Sequence, residues 1–416
     1  MSYRFARAWL LAALALGLDA ARAQQAADTT PPPSSGAPAG GTSSASSFNP
    51  ALSLILSGTY ANLSRDPDNY RINGFVASGD IGPGPRGFSL GESELGFAAN
   101  IDPYFYGAAN ISITPDNEAD VEEAFVQTTS LGRGVTVKFG RFFSGIGYLN
   151  EQHAHTWDFV DSPLAYQAFL GTQLNDDGIQ VRWLAPTRLF LEFGGEVGRG
   201  RNFPGSDRNK NGIGAGSIFA HAGGDWGDSS SWRAGLSYLQ TSPQDRTDDT
   251  TNLAGDAVTN AFSGKSRLWV ADFVWKWAPN GNPSRQNFKL QTEYFSRRES
   301  GTLTYDTTGA AATDSYSSRQ SGGYVQAVYQ FAPRWRTGVR YDRLDSGSVD
   351  LASNAAFLAQ VNARPSRVTW MADYNSSEFS RIRLQLASDR AREGKADNQV
   401  FVQYQMSLGA HGAHNF

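Results

Sequence analysis

Val400-Phe-Val-Gln-Tyr-Gln-Met-Ser-Leu408 puts an apolar side chain at Val400, Val402, Tyr404, Met406 and Leu408, on every second residue. Ile382-Arg-Leu-Gln-Leu386 and Leu189-Phe-Leu-Glu-Phe193 repeat the pattern. A β-strand sends successive side chains to opposite faces, so each segment carries one apolar and one polar face. From Ala51 onward such segments recur, and the connections between them alternate long and short. A soluble sandwich would share the alternation but has no need of the loop rhythm. The expectation is an all-β chain forming a transmembrane antiparallel β-barrel, with lipid wetting the apolar faces.

Period-two alternation bounded by turn residues gives strands near 51–63, 92–102, 104–114, 121–130, 135–143, 177–185, 187–199, 215–225, 231–241, 266–277, 286–298, 321–332, 334–345, 366–376, 379–390 and 398–409. That is sixteen strands, an even number as single-chain bacterial barrels require; one miscut hairpin would make it fourteen or eighteen. Short connections fall at Asp102-Pro103, 131–134, 185–187, 227–229, 279–281, Ala332-Pro333 and 375–377. Long polar loops fall near 64–91, 144–176, 200–214, 242–265, 299–320 and 346–365, with shorter ones at 115–120 and 391–397. Short turns belong on the periplasmic side and long loops outside, which puts both chain ends in the periplasm.

The bulk numbers agree. With 40% apolar residues and a mean hydropathy of −0.41, no stretch beyond the N-terminus can span a bilayer as a helix. Ten Trp and 16 Tyr can supply interfacial girdles, and the absence of cysteine excludes disulfides, thiol catalysis and thiolate metal sites. Residues 1–23 read as a cleaved secretory signal, with Arg4 and Arg7 at the start, an apolar run from Trp9 to Leu18, and Ala21-Arg-Ala23 as the small-x-small site. Its removal takes the formal charge from −4 to −6, which speaks against a nucleic-acid partner. Residues 24–49 are a Pro/Ser/Gly/Ala-rich tract that cannot bury a core and reads as a flexible periplasmic tether. Residues 50–416 form the barrel, and the terminal Phe416 after an amphipathic strand reads as the signal that engages the barrel-assembly machinery.

Sixteen strands enclose an aqueous lumen, and strand phase says what lines it. With Trp335, Thr337, Val339 and Tyr341 toward lipid, Arg334, Arg336, Arg340 and Asp342 turn inward; likewise Arg381, Arg383, Gln385 and Asp389, and Lys289, Gln291, Glu293 and Arg297. Lys138, Arg182, Arg233, Lys276 and Arg367 join them, against Glu94, Glu123, Glu192, Glu196, Asp272 and Asp373. The phase around Ile218 to Ala222 is ambiguous. The basic residues concentrate late in the chain, and rings of Arg or Lys favour anions.

The longest interruption, 144–176, contains Gly145-Ile-Gly-Tyr-Leu-Asn-Glu-Gln-His-Ala-His-Thr-Trp-Asp-Phe-Val-Asp-Ser-Pro163, unusually apolar for an external loop. Exposed, it would be costly, so it is expected to fold onto the inner wall and narrow the channel. Its constriction residues are Glu151, His153, His155, Asp158 and Asp161. His153 and His155 are candidate metal ligands, but an HxH pair alone does not specify a metal, and no cofactor is expected.

Ala21-Arg-Ala23, Glu122-Glu-Ala-Phe-Val126 followed by Val137-Lys-Phe-Gly-Arg-Phe142, the long third loop and Phe416 resemble the porin superfamily of Gram-negative bacteria, and more loosely its phosphate-selective type. The resemblance implies an outer-membrane diffusion channel for small hydrophilic solutes, commonly a homotrimer with a constriction loop, in contact with outer-membrane lipid and lipopolysaccharide. A lysine-rich loop ladder, expected of the phosphate-selective type, is lacking, and Trp157-Asp-Phe-Val-Asp161 sets the chain apart as a distinct branch. Competing readings are a surface adhesin using the long loops, a barrel enzyme built on His153 and His155 beside Asp158 and Asp161, and a metal-uptake receptor. The last lacks a plug domain ahead of the barrel; the chain is not expected to be an enzyme.

Overall fold

A computed structural model describes residues 50–409 apart from 69, 77, 78, 80 and 115–117. The signal segment, the 24–49 tract, His411, His414 and Phe416 lie outside the described residues. Eighteen strands follow one another: β1 (Ala51–Leu63), β2 (Gly87–Leu90), β3 (Ser93–Asn100), β4 (Phe105–Ile113), β5 (Ala119–Thr128), β6 (Val135–Phe143), β7 (Asn175–Leu184), β8 (Phe190–Gly198), β9 (Ala215–Asp225), β10 (Ser230–Thr241), β11 (Arg246–Thr251), β12 (Ala257–Trp277), β13 (Asn287–Tyr305), β14 (Ala312–Ala332), β15 (Trp335–Asp350), β16 (Ser366–Ser377), β17 (Ser380–Asp389) and β18 (Asp397–Gly409). Successive wall strands pair antiparallel, β10 directly with β12, and β1 closes the ring on β18 from Ser53↔Gly409 to Leu63↔Gln399. Sixteen strands make the closed barrel. β2 and β3 pair in tandem with the two halves of β1, and β11 is a short addition to the far end of β12.

The alternation that defines the strands also sorts their faces. Val339 and Trp335 on β15, Ile382, Leu384 and Leu386 on β17, and Val402, Tyr404 and Leu408 on β18 are exposed outward, where lipid replaces water. Their sequence neighbours Arg340, Asp342, Arg383, Gln385 and Gln399 are buried inside. On β9, where the sequence was ambiguous, Phe219 and His221 point in and Ile218 points out.

Two features depart from the sequence reading. The loops expected at 242–265 and 299–320 are largely strand: β12 and β14 each run 21 residues and β13 runs 19. At about 3.3 Å per residue a 21-residue strand is ~70 Å long, whereas a bilayer needs about 9–11 residues. These strands continue past the membrane as a ribbon. Stretches such as Ala312-Thr-Asp-Ser-Tyr-Ser-Ser318 are mostly polar, so they carry no apolar alternation to announce a strand. The second departure is residues 70–75, expected in an external loop: Tyr70, Ile72 and Phe75 are buried.

Candidate functional site: a loop across the barrel bore

The segment from Ser144 to Leu174 leaves β6, lies inside the barrel and returns to β7. It ends in a seven-residue helix α1 (Leu164–Leu170), which starts after Pro163 and stops at Gly171 in the left-handed region (φ 63). Every residue of α1 is buried. Its apolar face packs with Ile146, Leu149 and Trp157 of the same loop, with Val270, Phe295, Tyr324 and Leu344 of the wall, and with Tyr70, Ile72 and Phe75. Phe169 stacks on Phe295 (5.7 Å) and meets Phe75 edge-on (5.6 Å). The apolar character that made this loop conspicuous is thereby accounted for: the loop carries its own small core into a polar lumen.

The polar side chains of the loop are fixed to walls on opposite sides. His153 Nδ1 lies 3.1 Å from Glu122 Oε2 and 3.3 Å from Glu94 Oε2; its Nε2 lies 3.1 Å from Glu123 Oε2. Those carboxylates stand on β3 and β5. Five residues later, Asp158 pairs with Lys289 on β13 and with Arg336 on β15 (3.4 Å). In the order of the ring, β5 and β14 are diametrically opposed, so the stretch between His153 and Asp158 crosses the bore. Asp161 then meets Arg340 (2.9 Å), Arg367 (2.6 Å) and Gln385 (3.0 Å). Main-chain carbonyls are engaged too: Arg383 donates to Trp157 O (3.0 Å), Arg381 to His155 O (3.0 Å) and Arg367 to Ser162 O (2.7 Å). On another wall, Glu151 pairs with Arg182, and Ser144 Oγ and Gly145 N–H donate to Glu196 (2.5 and 2.7 Å).

Glu293 on β13 anchors the loop backbone. It accepts from Tyr148 N–H (3.0 Å), Leu149 N–H (3.1 Å), Tyr166 Oη (2.8 Å) and Tyr324 Oη (2.6 Å). Gly147 makes this approach possible: its φ is 70°, and a Cβ there would stand 2.4 Å from Glu293 Oε2. These contacts set the ionisation of the loop. Burial alone would raise the carboxyls of Asp158 and Asp161, but Lys289 with Arg336, and Arg367 with Arg340, hold both below their ordinary range. Burial pushes Glu151 up, but Arg182 and Lys138 outweigh it and lower the carboxyl to about 2. Burial pulls His153 down, yet its hydrogen bonds with Glu122, Glu123 and Glu94 outweigh that and raise it well above its ordinary value.

The remaining predicted residues divide as follows. Lys138 Nζ sits over the rings of Phe125 (4.3 Å) and Phe142 (5.6 Å). Arg233 lies over Tyr148 (5.2 Å), Glu192 holds His221 (2.9 Å), and Arg297 stacks on Phe169 and Phe203 (both 5.2 Å). Lys276 lines a cavity of about 660 Å³ beside Asp158, Lys289 and Arg336 at the short-turn end. Arg334 is a correction. It occupies the β14–β15 turn at φ 72, exposed, because a two-residue connection leaves it outside the wall that begins at Trp335.

Sequence reasoning missed Glu122 as a partner of His153, and missed the 70–75 segment altogether. Tyr70, Ile72 and Phe75, closely spaced large apolar residues in a loop expected to be polar, were the signal in the latter. Tyr70 Oη donates to Asp389 (2.9 Å), tying this segment to β17. Above it lies a second cavity of about 440 Å³, lined by Arg65, Arg71, Arg246, Asp248 and Arg392 among others. Among the described residues, Glu94, Glu122 and His153 bring three potential metal donors within 4.8 Å of one another.

A protein of Aquifex aeolicus, itself uncharacterised, is 32% identical over 402 residues, covering 90% of this chain and 81% of its own length. The chain belongs to the same family as that protein. No family model matches it. Among solved structures, an anion-selective porin from Comamonas acidovorans superposes with a TM-score of 0.51 at 12% identity, over 86% of this chain and 99% of the porin. OmpT, an outer membrane protein of Vibrio cholerae in its trimer form, superposes with a TM-score of 0.51 at 10% identity, over 86% and 99% respectively. At such identities the likeness is one of fold: this is the barrel architecture of Gram-negative outer-membrane porins.

Proposed function

We propose that the chain is an outer-membrane channel for small hydrophilic solutes, narrowed by the loop 144–176, with a lean toward anions. The observation that carries this reading is the crossing of the bore by His153 to Asp161, pinned at both walls by ionic contacts. An inserted loop of that kind, with one cavity against Asp158 at the short-turn end and another beyond the 70–75 segment, makes its own docking the determinant of what passes. Lys289, Arg336, Arg340, Arg367, Arg381 and Arg383 stand along one half of the wall, several of them paired with Asp342 and Asp373, while Glu94, Glu123, Glu192 and Glu196 stand along the other. Solutes crossing between them meet a transverse field, and the guanidinium-rich side supports the anion lean. The fold shared with an anion-selective porin supports the same direction. By analogy with the trimer form of OmpT, the working assembly is a homotrimer delivered by the 1–23 signal and recruited for assembly through Phe416.

The test is planar-bilayer conductance of the purified chain, with reversal potentials in salt gradients of chloride and of phosphate. Stepwise conductance with an anion-directed reversal potential is expected; absence of steps refutes the channel, and a cation-directed potential refutes the lean. Deleting 150–165 should raise the step size, and an unchanged step refutes the loop as the barrier.

A further inference from the structure

We infer that Glu94, Glu122 and His153 form a binding site for a first-row transition-metal dication of the zinc class, one that fastens the loop to β3 and β5. Two of the three donor pairs already stand at the spacing of ligands. His153 Nδ1 stands 3.1 Å from Glu122 Oε2 and 3.3 Å from Glu94 Oε2, and all three atoms lie within 4.8 Å. Ligands at about 2.0–2.2 Å from one ion are separated by ~3.0 Å along an octahedral edge and ~3.4 Å along a tetrahedral one.

The surroundings match those of a metal centre. His153 Nε2 faces Glu123 Oε2 at 3.1 Å, so an N–H there donates to a carboxylate while Nδ1 is left to coordinate, the outer hydrogen bond that fixes the tautomer of a ligating histidine. Asn110 Nδ2 stands 3.0 Å from the same nitrogen and donates to Glu123 Oε2 at 3.4 Å, so with Nε2 protonated it serves the carboxylate rather than the ring. His155, stacked on His153 with ring centroids 5.6 Å apart, orients Glu94 through a 2.8 Å contact from Nδ1 to Oε2. The setting also suits a cation: Glu94, Glu122 and Glu123 converge on the two imidazoles of His153 and His155. Imidazole with carboxylate selects a zinc-class ion over calcium or magnesium, which take all-oxygen shells, and three protein donors leave a position for water.

The site goes beyond the channel reading and is tested without it. The full chain in detergent, stripped with a chelator, is titrated with Co2+ by visible absorption and with Zn2+ by calorimetry. One ion per chain is expected, with affinity at least tenfold weaker in Glu122→Gln and in His153→Ala, and about 10- to 100-fold weaker in Glu123→Gln. His411→Ala/His414→Ala should bind as the parent does. Heat-modifiable electrophoretic mobility certifies that each variant is folded. Absence of binding, binding retained in His153→Ala, or binding lost with His411 and His414 overturns the inference. The parent chain gives an independent answer by nitrogen-15 imidazole spectroscopy: Zn2+ should move Nδ1 of His153 to a metal-bound shift. A ring that keeps both protons with Zn2+ present, an imidazolium held by three carboxylates, overturns it equally.

Discussion

Replacing Asp161 by Asn should undock the loop while leaving the barrel intact. Asp161 compensates two buried guanidinium groups, accepting from Arg340 at 2.9 Å and lying 2.6 Å from Arg367. Removing one partner of a buried ion pair costs about 3–5 kcal/mol. Here the loss is partial, because Arg340 keeps Asp342 (3.1 Å) and Arg367 keeps Asp342 (3.6 Å) and Asp389 (3.9 Å). A cost of about 2–3 kcal/mol is therefore appropriate, which at 1.36 kcal/mol per decade raises the undocked fraction roughly 30- to 150-fold. The chain contains no cysteine, so a single thiol reports cleanly. Ser162 is 3% exposed, and Ser162→Cys is nearly isosteric. Maleimide should react with that thiol only through transient undocking, at a rate proportional to the open fraction when reclosing is fast. The Asp161→Asn/Ser162→Cys chain should label roughly 30- to 150-fold faster than Ser162→Cys alone, with unchanged heat-modifiable mobility. Acceleration of less than about threefold would refute the argument that these ion pairs hold the loop.

Other outcomes follow from the same contacts. In chelator-treated protein, His153 has a folded pKa raised above its unfolded value near 6.5, so the stability it lends is complete below that pH and disappears as pH climbs through the raised value. Thiol labelling of Ser162→Cys should accordingly quicken at alkaline pH, and His153→Gln should flatten that dependence; a flat parent profile contradicts it. Phe169→Ala empties a position enclosed by Phe75, Phe295 and Arg297, worth about 3–5 kcal/mol in a dry core and less where lumen water can enter. At least tenfold faster labelling is expected, and a change confined to barrel melting counts against it. An epitope inserted between Thr308 and Gly309, at the tip of the β13–β14 ribbon, should be bound by antibody on intact cells. The same epitope between Asn280 and Gly281 should be inaccessible; the opposite pattern reverses the orientation.

The sequence by itself determined the wall. Alternation is a property of neighbouring residues, and lipid on one side with water on the other enforces it at each membrane-crossing position. Strand number, the faces of β15 and β17, and the inward turn of Arg340 and Arg383 were therefore legible. It also flagged 144–176, because an apolar loop has to be buried somewhere. Tertiary structure decided where. That His153 meets Glu94 and Glu122, and Asp158 meets Lys289 and Arg336, depends on closing β1 against β18 and laying the loop across the ring. These partners lie up to 178 positions apart. No local pattern encodes such distances, since a charged lumen residue looks alike whether it faces water or an inserted loop. The ribbon of β12, β13 and β14 was hidden for a related reason: above the membrane both faces are wet, and the alternation that reveals a strand disappears with the lipid that demanded it.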